Sequence, residues 1–448
     1  MINEKNNTFE KASRSGIQVY EWAKAPEEIK EKIMRRAQAD MGAIEKEVAQ
    51  WIAKLVQGGD KAMVEYAQKY DDPKFALEKL RVSDADIKEA YENTDTKVLQ
   101  MIREQIRISR AFHEEQAKRI EKIWQIETVP GVITGVKKTP IESVGLYVPA
   151  GKAPLPTVAQ ILTVAAKTAG VPRIVVCFSP TDKHYEIIVA ANLAGADEIY
   201  RVGGIAAIAA LAYGTETIKP VCKIAGPGSP YVQAAKLQVA GRVGIDMLSG
   251  PSEALIMADE TSNPAYLAAD ILARAEHGGD SAGVLVTYSY EIARKTKEEV
   301  ERQSPTLSRQ KYIQEALAKY CAIIVVSSEE ELIEFANEYG AEHLEIQTRE
   351  PERIFALVKN AGSVFLGAYA PVAVGDYASG TNHCLPTGRA TKFSSPIGIE
   401  TFMKTIQFQT LSRYGLKTLQ PIAQTISRVE GLDAHERSVN IRFDDYDN

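Results

Sequence analysis

The apolar positions of this chain follow two different periods. From about Glu27 to Gln125 they recur at three-to-four spacing in a charged background (Ile44, Val48, Trp51, Ile52, Leu55). The Gly58-Gly59 and Asp71-Asp72-Pro73 turns interrupt the run, and the pattern predicts a helical N-terminal region. After Pro140 short apolar runs alternate with Ala-rich helical stretches: VGLYVPAG, ILTVAAKTAG, RIVVCFSP, YEIIVAANLAG, DEIYRVGG, AAIAALAYG, VCKIAGPG and YVQAAKLQVAG. A second series follows, with EALIMAD, AGVLVTYS, AIIVVSS, HLEIQT and SVFLG as strands separated by helical segments. Strands that alternate with helices predict βαβ units and parallel sheets, hence an α/β fold with two doubly wound halves. Past residue 390 the chain turns polar and helical again, as a C-terminal appendage would.

Composition narrows the function classes. With 448 residues, 45% of them hydrophobic and 25% charged, the chain has the composition of a soluble globular protein of several domains. A net charge of -6, with no long basic run, argues against nucleic acid as a partner. No run of about 18 apolar residues is present, which argues against a membrane span. Cys177, Cys222, Cys321 and Cys384 show neither metal-ligand spacing nor a disulfide framework. With the polar N-terminus, they make a reduced, cytoplasmic chain the expectation.

Four of the six histidines lie in the C-terminal half, each near an acid: Glu276-His277, Glu342-His343, Asp376 with His383, and Glu430 with His435. Imidazole is the commonest metal ligand and titrates nearest neutral pH, so such groupings on separate elements point to a metal or proton-transfer site assembled from distant pieces. Arg274 and His277 share a helix face in ARAEHGG, although a helix end capped at Gly278 accounts for His277 equally well. Glu342 and His343 stand in the Gly-rich entry to an apolar strand, where a turn would let a loop-placed pair serve as base and water activator. Asp376, Asn382 and His383 belong to GDYASGTNHCLPTG, a composition suited to lining a site. Glu430 and His435 flank a short tail helix, for which simple solvent exposure is the plain alternative. His113, alone on a charged helix, reads as structural or solvated. The glycines of GLYVPAGKAP, RVGGIAA and IAGPGSP suit a nucleotide crevice, and tight packing turns explain them about as well.

Together these segments resemble the histidinol dehydrogenase family. The resemblance runs in order through RAFHEEQ, VGLYVPAGKAPLPT, VGGIAAIAALAYGTE, AGPGSPYV, VGIDMLSGPSEALIMAD, RAEHGGDS, YGAEHLEIQTR, AGSVFLG, VGDYASGTNHCLPTG and EGLDAHERSV, nearly the whole chain. It implies an NAD-dependent homodimer of amino-acid biosynthesis that oxidises an amino alcohol, L-histidinol by default, through an aldehyde to the amino acid. Zinc would hold the substrate. It further implies two incomplete Rossmann-like domains with terminal extensions, the C-terminal one reaching into the partner's active site. The expected division is an extension over 1–26, a first domain over 27–141 plus 251–390, a second over 142–250, and a C-terminal extension over 391–448.

By motif, His277, Asp376 and His435 match zinc ligands, Glu342 and His343 the catalytic pair, and Ser252, His383 and Glu430 substrate-side positions. Tyr147 matches a cofactor contact, and Ser229 stands at a second cofactor-side position. The chain departs from the family where a glutamine ligand of the metal becomes Arg274, a permanent cation without a lone pair to donate. Ala206, Ser229 and Ala150-Gly151 also replace family residues on the cofactor side. Arg274 brings in a second reading, a paralogue oxidising another hydroxylated, anionic compound such as a sulfopropanediol. A non-catalytic binding protein on the same fold is a third, which retention of Glu342 and His343 argues against.

Overall fold

The computed structural model describes residues 16–37, 41–150, 154–180, 184–247 and 249–444. In chain order the strands are β1 (Gln18–Glu21), β2 (Ile123–Val129), β3 (Val132–Pro140), β4 (Val144–Val148), β5 (Ile174–Phe178), β6 (Glu198–Arg201) and β7 (Lys223–Ala225). They continue with β8 (Gly244–Ile245), β9 (Glu253–Ala258), β10 (Ala282–Thr287), β11 (Ala322–Val325), β12 (Ala341–Gln347), β13 (Ala361–Leu366) and β14 (Met403–Leu411).

Two parallel sheets carry the fold, as the alternation predicts. One has the order β1-β11-β10-β9-β12-β13, the other β6-β5-β4-β7-β8. Helices cover their faces, so β4, β5, β9, β10, β11 and β12 are buried along their whole length. Burial on both faces is why these strands read as unbroken apolar runs in the sequence. The crossover helices end sharply; Gly170 (φ 88°) and Gly195 (φ 104°) adopt the left-handed conformation that closes the helices Pro156–Ala169 and Tyr185–Ala194.

The structure departs from the sequence reading in three places. The long N-terminal helix ends at Arg119, and residues 123–140 form the hairpin β2-β3, which β14 joins to make a third, antiparallel sheet. The C-terminal part is therefore not all helical. In MKTIQFQTL the β-branched and aromatic residues Thr405, Ile406, Phe408 and Thr410 suit a strand, and pairing along the whole of β3 prevails over the polarity that suggested helix. Second, the nominal N-terminal extension contributes β1, an edge strand paired in parallel with β11. Third, the helices Met41–Tyr70 and Thr96–Arg119 pack on helices of the five-stranded sheet, so much of the stretch expected to join the first domain lies against the second. Their apolar stripes fit the Ala-rich helices Gly204–Tyr213 and Pro156–Ala169, whose small side chains allow close approach. Gly151, expected beside Ala150 on the cofactor side, lies outside the described residues.

Candidate active site

In the six-stranded sheet the chain order reverses between β9 and β12. The candidate residues gather at the N-terminal edge of these two strands. Ser252 precedes β9, Glu342 and His343 open β12, and Arg274 is the penultimate residue of the returning helix Pro264–Ala275. Glu342 and His343 are thus strand residues rather than loop residues, because Gly340 (φ 57°) completes the reversal before them.

Hydrogen bonds lock the cluster. Ser252 Oγ donates to Glu342 Oε2 at 2.9 Å, and the Glu253 N–H donates to the same oxygen at 2.8 Å. Arg274, buried to 3% exposure, donates from Nη1 to Ser252 Oγ at 2.6 Å and lies 3.5 Å from Asp376 Oδ2 through Nη2. His343 Nδ1 sits 3.1 Å from the Glu253 carbonyl and 3.3 Å from Glu342 Oε2. Two acceptors on that side assign the hydrogen to Nδ1 and turn Nε2, which has no hydrogen-bond partner, toward Asp376 Oδ1 at 3.4 Å.

The charges are interlocked. Burial pushes Glu342 up, and His343, Arg274 and the Glu253 N–H together outweigh it, so the carboxyl stays below its usual range. Burial and Arg274 press His343 down, but Glu342 and Asp376 prevail and raise it to about 9. Burial also opposes ionisation of Asp376, yet His343 and Arg274 hold it well below the ordinary carboxylate range. His277 stands at the exposed end of its helix, crowded on one side by protein; that crowding and Arg274 keep its imidazole neutral. His383 is held neutral chiefly by burial, and feels Asp376, His343 and Glu342.

The structure therefore brings Ser252, Arg274, His277, Glu342, His343, Asp376 and His383 into one neighbourhood. It leaves Glu430 and His435 outside: both are exposed, at the end of helix Arg413–Val429 and on helix Asp433–Asn440. Tyr147 and Ser229 belong to the five-stranded sheet. Tyr147 is buried, and its hydroxyl accepts the N–H of Gly204 at 3.3 Å. Ser229 is exposed and N-caps the helix Pro230–Val239 without a side-chain cap bond. Ala206 lies fully buried in helix Gly204–Tyr213. His113 is buried too, with Nδ1 2.7 Å from the Ser109 carbonyl, a structural histidine.

A dinucleotide fits the geometry between the sheets. Chain order in the five-stranded sheet reverses between β4 and β7, where α/β sheets bind nucleotides at strand C-terminal ends. There Gly226 (φ 125°) passes so close to Tyr147 that a Cβ would stand 2.2 Å from its carbonyl oxygen. The open N-terminus of helix Pro230–Val239 follows. A cavity of about 490 Å³ joins Pro230 and Gln233 of this helix to Ser252, Glu253 and Thr387 beside the Glu342–His343 cluster.

Zinc is a different case. His277 and Asp376 are donors of suitable type, but Arg274 stands where the motif expects a neutral ligand and already engages Asp376. Among the described residues no group of three or more His, Cys, Asp or Glu is arranged to hold a metal.

Two features went unread in the sequence. Glu253 and Arg36 pair beneath Glu342 and His343, and Asp270 and Glu345 form an acid pair behind them. An acid opening an apolar strand, as in SEALIMAD, was the available signal for Glu253; Arg36 had none.

Comparison with known proteins identifies the family. The sequence profile described as histidinol dehydrogenase matches residues 34–443. The histidinol dehydrogenase of Methanothermobacter thermautotrophicus is 42% identical over 416 residues, covering 92% of this chain and 96% of that protein. That of Vibrio parahaemolyticus is 43% identical over 427 residues, covering 94% and 97%. The crystal structure of histidinol dehydrogenase from Elizabethkingia anophelis superposes with a TM-score of 0.90 at 35% identity, covering 97% of this chain and 99% of that one. The chain belongs to the histidinol dehydrogenase family.

Proposed function

We propose that this protein oxidises L-histidinol to L-histidine at the Glu342–His343 cluster. It is an NAD-dependent oxidoreductase of the alcohol-dehydrogenase class, and its family uses NAD and Zn²⁺. The observation that carries the assignment is the buried pair itself, bonded to Ser252 and Glu253 at the edge of a cavity that reaches the dinucleotide crevice. Neither the profile nor the relatives favour the alternative substrate.

NAD supplies the hydride acceptor. In its neutral form His343 accepts the substrate hydroxyl proton at Nε2, the buried nitrogen that faces Asp376 and makes no hydrogen bond of its own, as the carbinol carbon loses a hydride. Glu342, ionised beside the aldehyde, takes a proton from water as its oxygen adds to the carbonyl carbon. His343 returns its proton to the carbonyl oxygen to complete the gem-diol; the diol then loses a second hydride as His343 takes one hydroxyl proton, and the acid so formed gives its last proton to water to become the carboxylate. Overall one alcohol, one water and two NAD give one carboxylate, two NADH and three protons. Ser252 and Arg274 hold the substrate side, with His383 beside them. Ser229 and Tyr147 line the cofactor side.

The same proposal includes a homodimer in which Glu430 and His435 enter the partner's site. Two exposed apolar surfaces support it. Ile422, Ile426 and Val429 recur at helical spacing on Arg413–Val429, and Ile123, Trp124 and Ile126 lie bare on the edge strand β2. His277, Asp376 and the partner's His435 would then hold the zinc. The four free cysteines favour a cytoplasmic location.

Incubation of the purified protein with L-histidinol and NAD tests the function. We expect two NADH per histidinol consumed; NADH only from an anionic diol would transfer the site to another substrate.

A further inference from the structure

Glu253 touches the catalytic pair from every side. Its N–H donates to Glu342 Oε2 at 2.8 Å and its carbonyl faces His343 Nδ1 at 3.1 Å. Its carboxylate, on a side chain only 3% exposed, accepts the N–H of Glu342 on Oε1 at 3.1 Å and the N–H of Gly388 on Oε2 at 3.2 Å. Both oxygens are therefore committed, and two carboxylates, those of Glu253 and Glu342, lie buried side by side.

The counter-charge comes from far away in the chain. Arg36 follows the N-terminal helix Glu27–Arg35, and its Nε lies 2.9 Å from Glu253 Oε2. The guanidinium stacks 3.6 Å over the Tyr339 ring and donates through Nη2 to the Tyr339 carbonyl at 2.5 Å. Tyr339 ends the helix that leads into Gly340 and the catalytic strand. Arg36 also occupies φ 57°, ψ -152°, a backbone region hospitable to glycine. A non-glycine residue stays there only when its surroundings over-determine it, and such residues cluster at functional sites.

We propose that Glu253, anchored by Arg36, is a positioning residue for the Glu342–His343 pair. It fixes the hydrogen of His343 on Nδ1, leaves Nε2 as the basic nitrogen, and holds Glu342 ready for water. This rests on the functional reading above, and it adds an N-terminal helix to the machinery that sets the geometry. Neither residue touches the reacting atoms.

The test is the double variant R36M/E253Q, which removes both buried charges together and so leaves neither unpaired. Glutamine has one acceptor oxygen where two amides need acceptors, so the clamp on Glu342 and Gly388 must break on one side. We expect kcat to fall on the order of 10²-fold, with KM for histidinol, NAD affinity and melting temperature close to wild type. A purely structural ion pair would move the melting temperature and leave kcat unchanged, and that result would overturn the proposal. The crystal structure of the double variant gives a reading independent of activity. Glu342 and His343 displaced from Ser252 and Glu253 would support positioning even if histidinol proved not to be the substrate; an undisturbed pair would refute it.

Discussion

At the level of single residues, the proposed mechanism gives Glu342 and His343 separate tasks. His343→Asn removes the base atom while Asn retains a donor for the Glu253 carbonyl, so turnover should drop ~10²–10⁴-fold with NAD binding intact. Steady-state NADH production measures it, and near-wild-type rates would remove His343 from the mechanism. Glu342→Gln should spare the first hydride and stall the second, because its carboxylate is needed only when water attacks. Single-turnover experiments would then show an early NADH phase and bound aldehyde; loss of both phases would give Glu342 another role. Arg274 is the residue that most distinguishes this site. Its guanidinium ties Ser252 to Asp376, repels a cation and offers no lone pair. Arg274→Gln frees Asp376 and adds a neutral donor, so zinc content by elemental analysis should rise. Identical metal content in the two proteins would show that Arg274 does not restrain the metal.

Secondary-structure elements are tied together behind the site by a second acid pair. Asp270 and Arg274 lie one turn apart on Pro264–Ala275, and Gln347 of β12 donates to Asp270 at 2.8 Å and to Glu345 at 2.6 Å. Glu345 also accepts the N–H of Val372, the first residue of the helix that carries Asp376. Burial, reinforced by Asp270, raises Glu345 well above its ordinary 4.5. An acid raised in the folded state binds its proton more tightly there than when unfolded, so its stability is complete below 4.5 and is lost as pH rises through the folded value. Glu345→Gln keeps an acceptor for Val372 but cannot ionise. From about pH 5 upward, wild type should therefore lose stability relative to the variant. Calorimetric melting across that range checks it; parallel curves would mean that the pair carries no such linkage.

For the whole molecule, the decisive question is where His435 works. If two chains share each site, the inactive variants His343→Asn and His435→Ala should complement when their subunits are exchanged. Half of a random mixture is then heterodimer with one intact site of two, so about a quarter of wild-type activity should return. No recovery despite proven exchange would confine each site to one chain. Much of this protein was legible in its sequence, because local physics wrote it there. Strands buried on both faces must be continuously apolar, so β4, β5, β9, β10 and β11 announced themselves, and the chemistry of Glu342-His343, Ser252 and Asp376 resides in residue types that no fold alters. What the tertiary structure decided is how distant groups meet. The β-branched and aromatic residues of MKTIQFQTL suit a strand but cannot say that it pairs with residues 132–140, and MRRAQ cannot show that Arg36 reaches Glu253 beneath Glu342 and His343. Such pairings depend on chain reversals hundreds of residues apart, and on burial that makes a charge seek its partner, neither of which leaves a local trace.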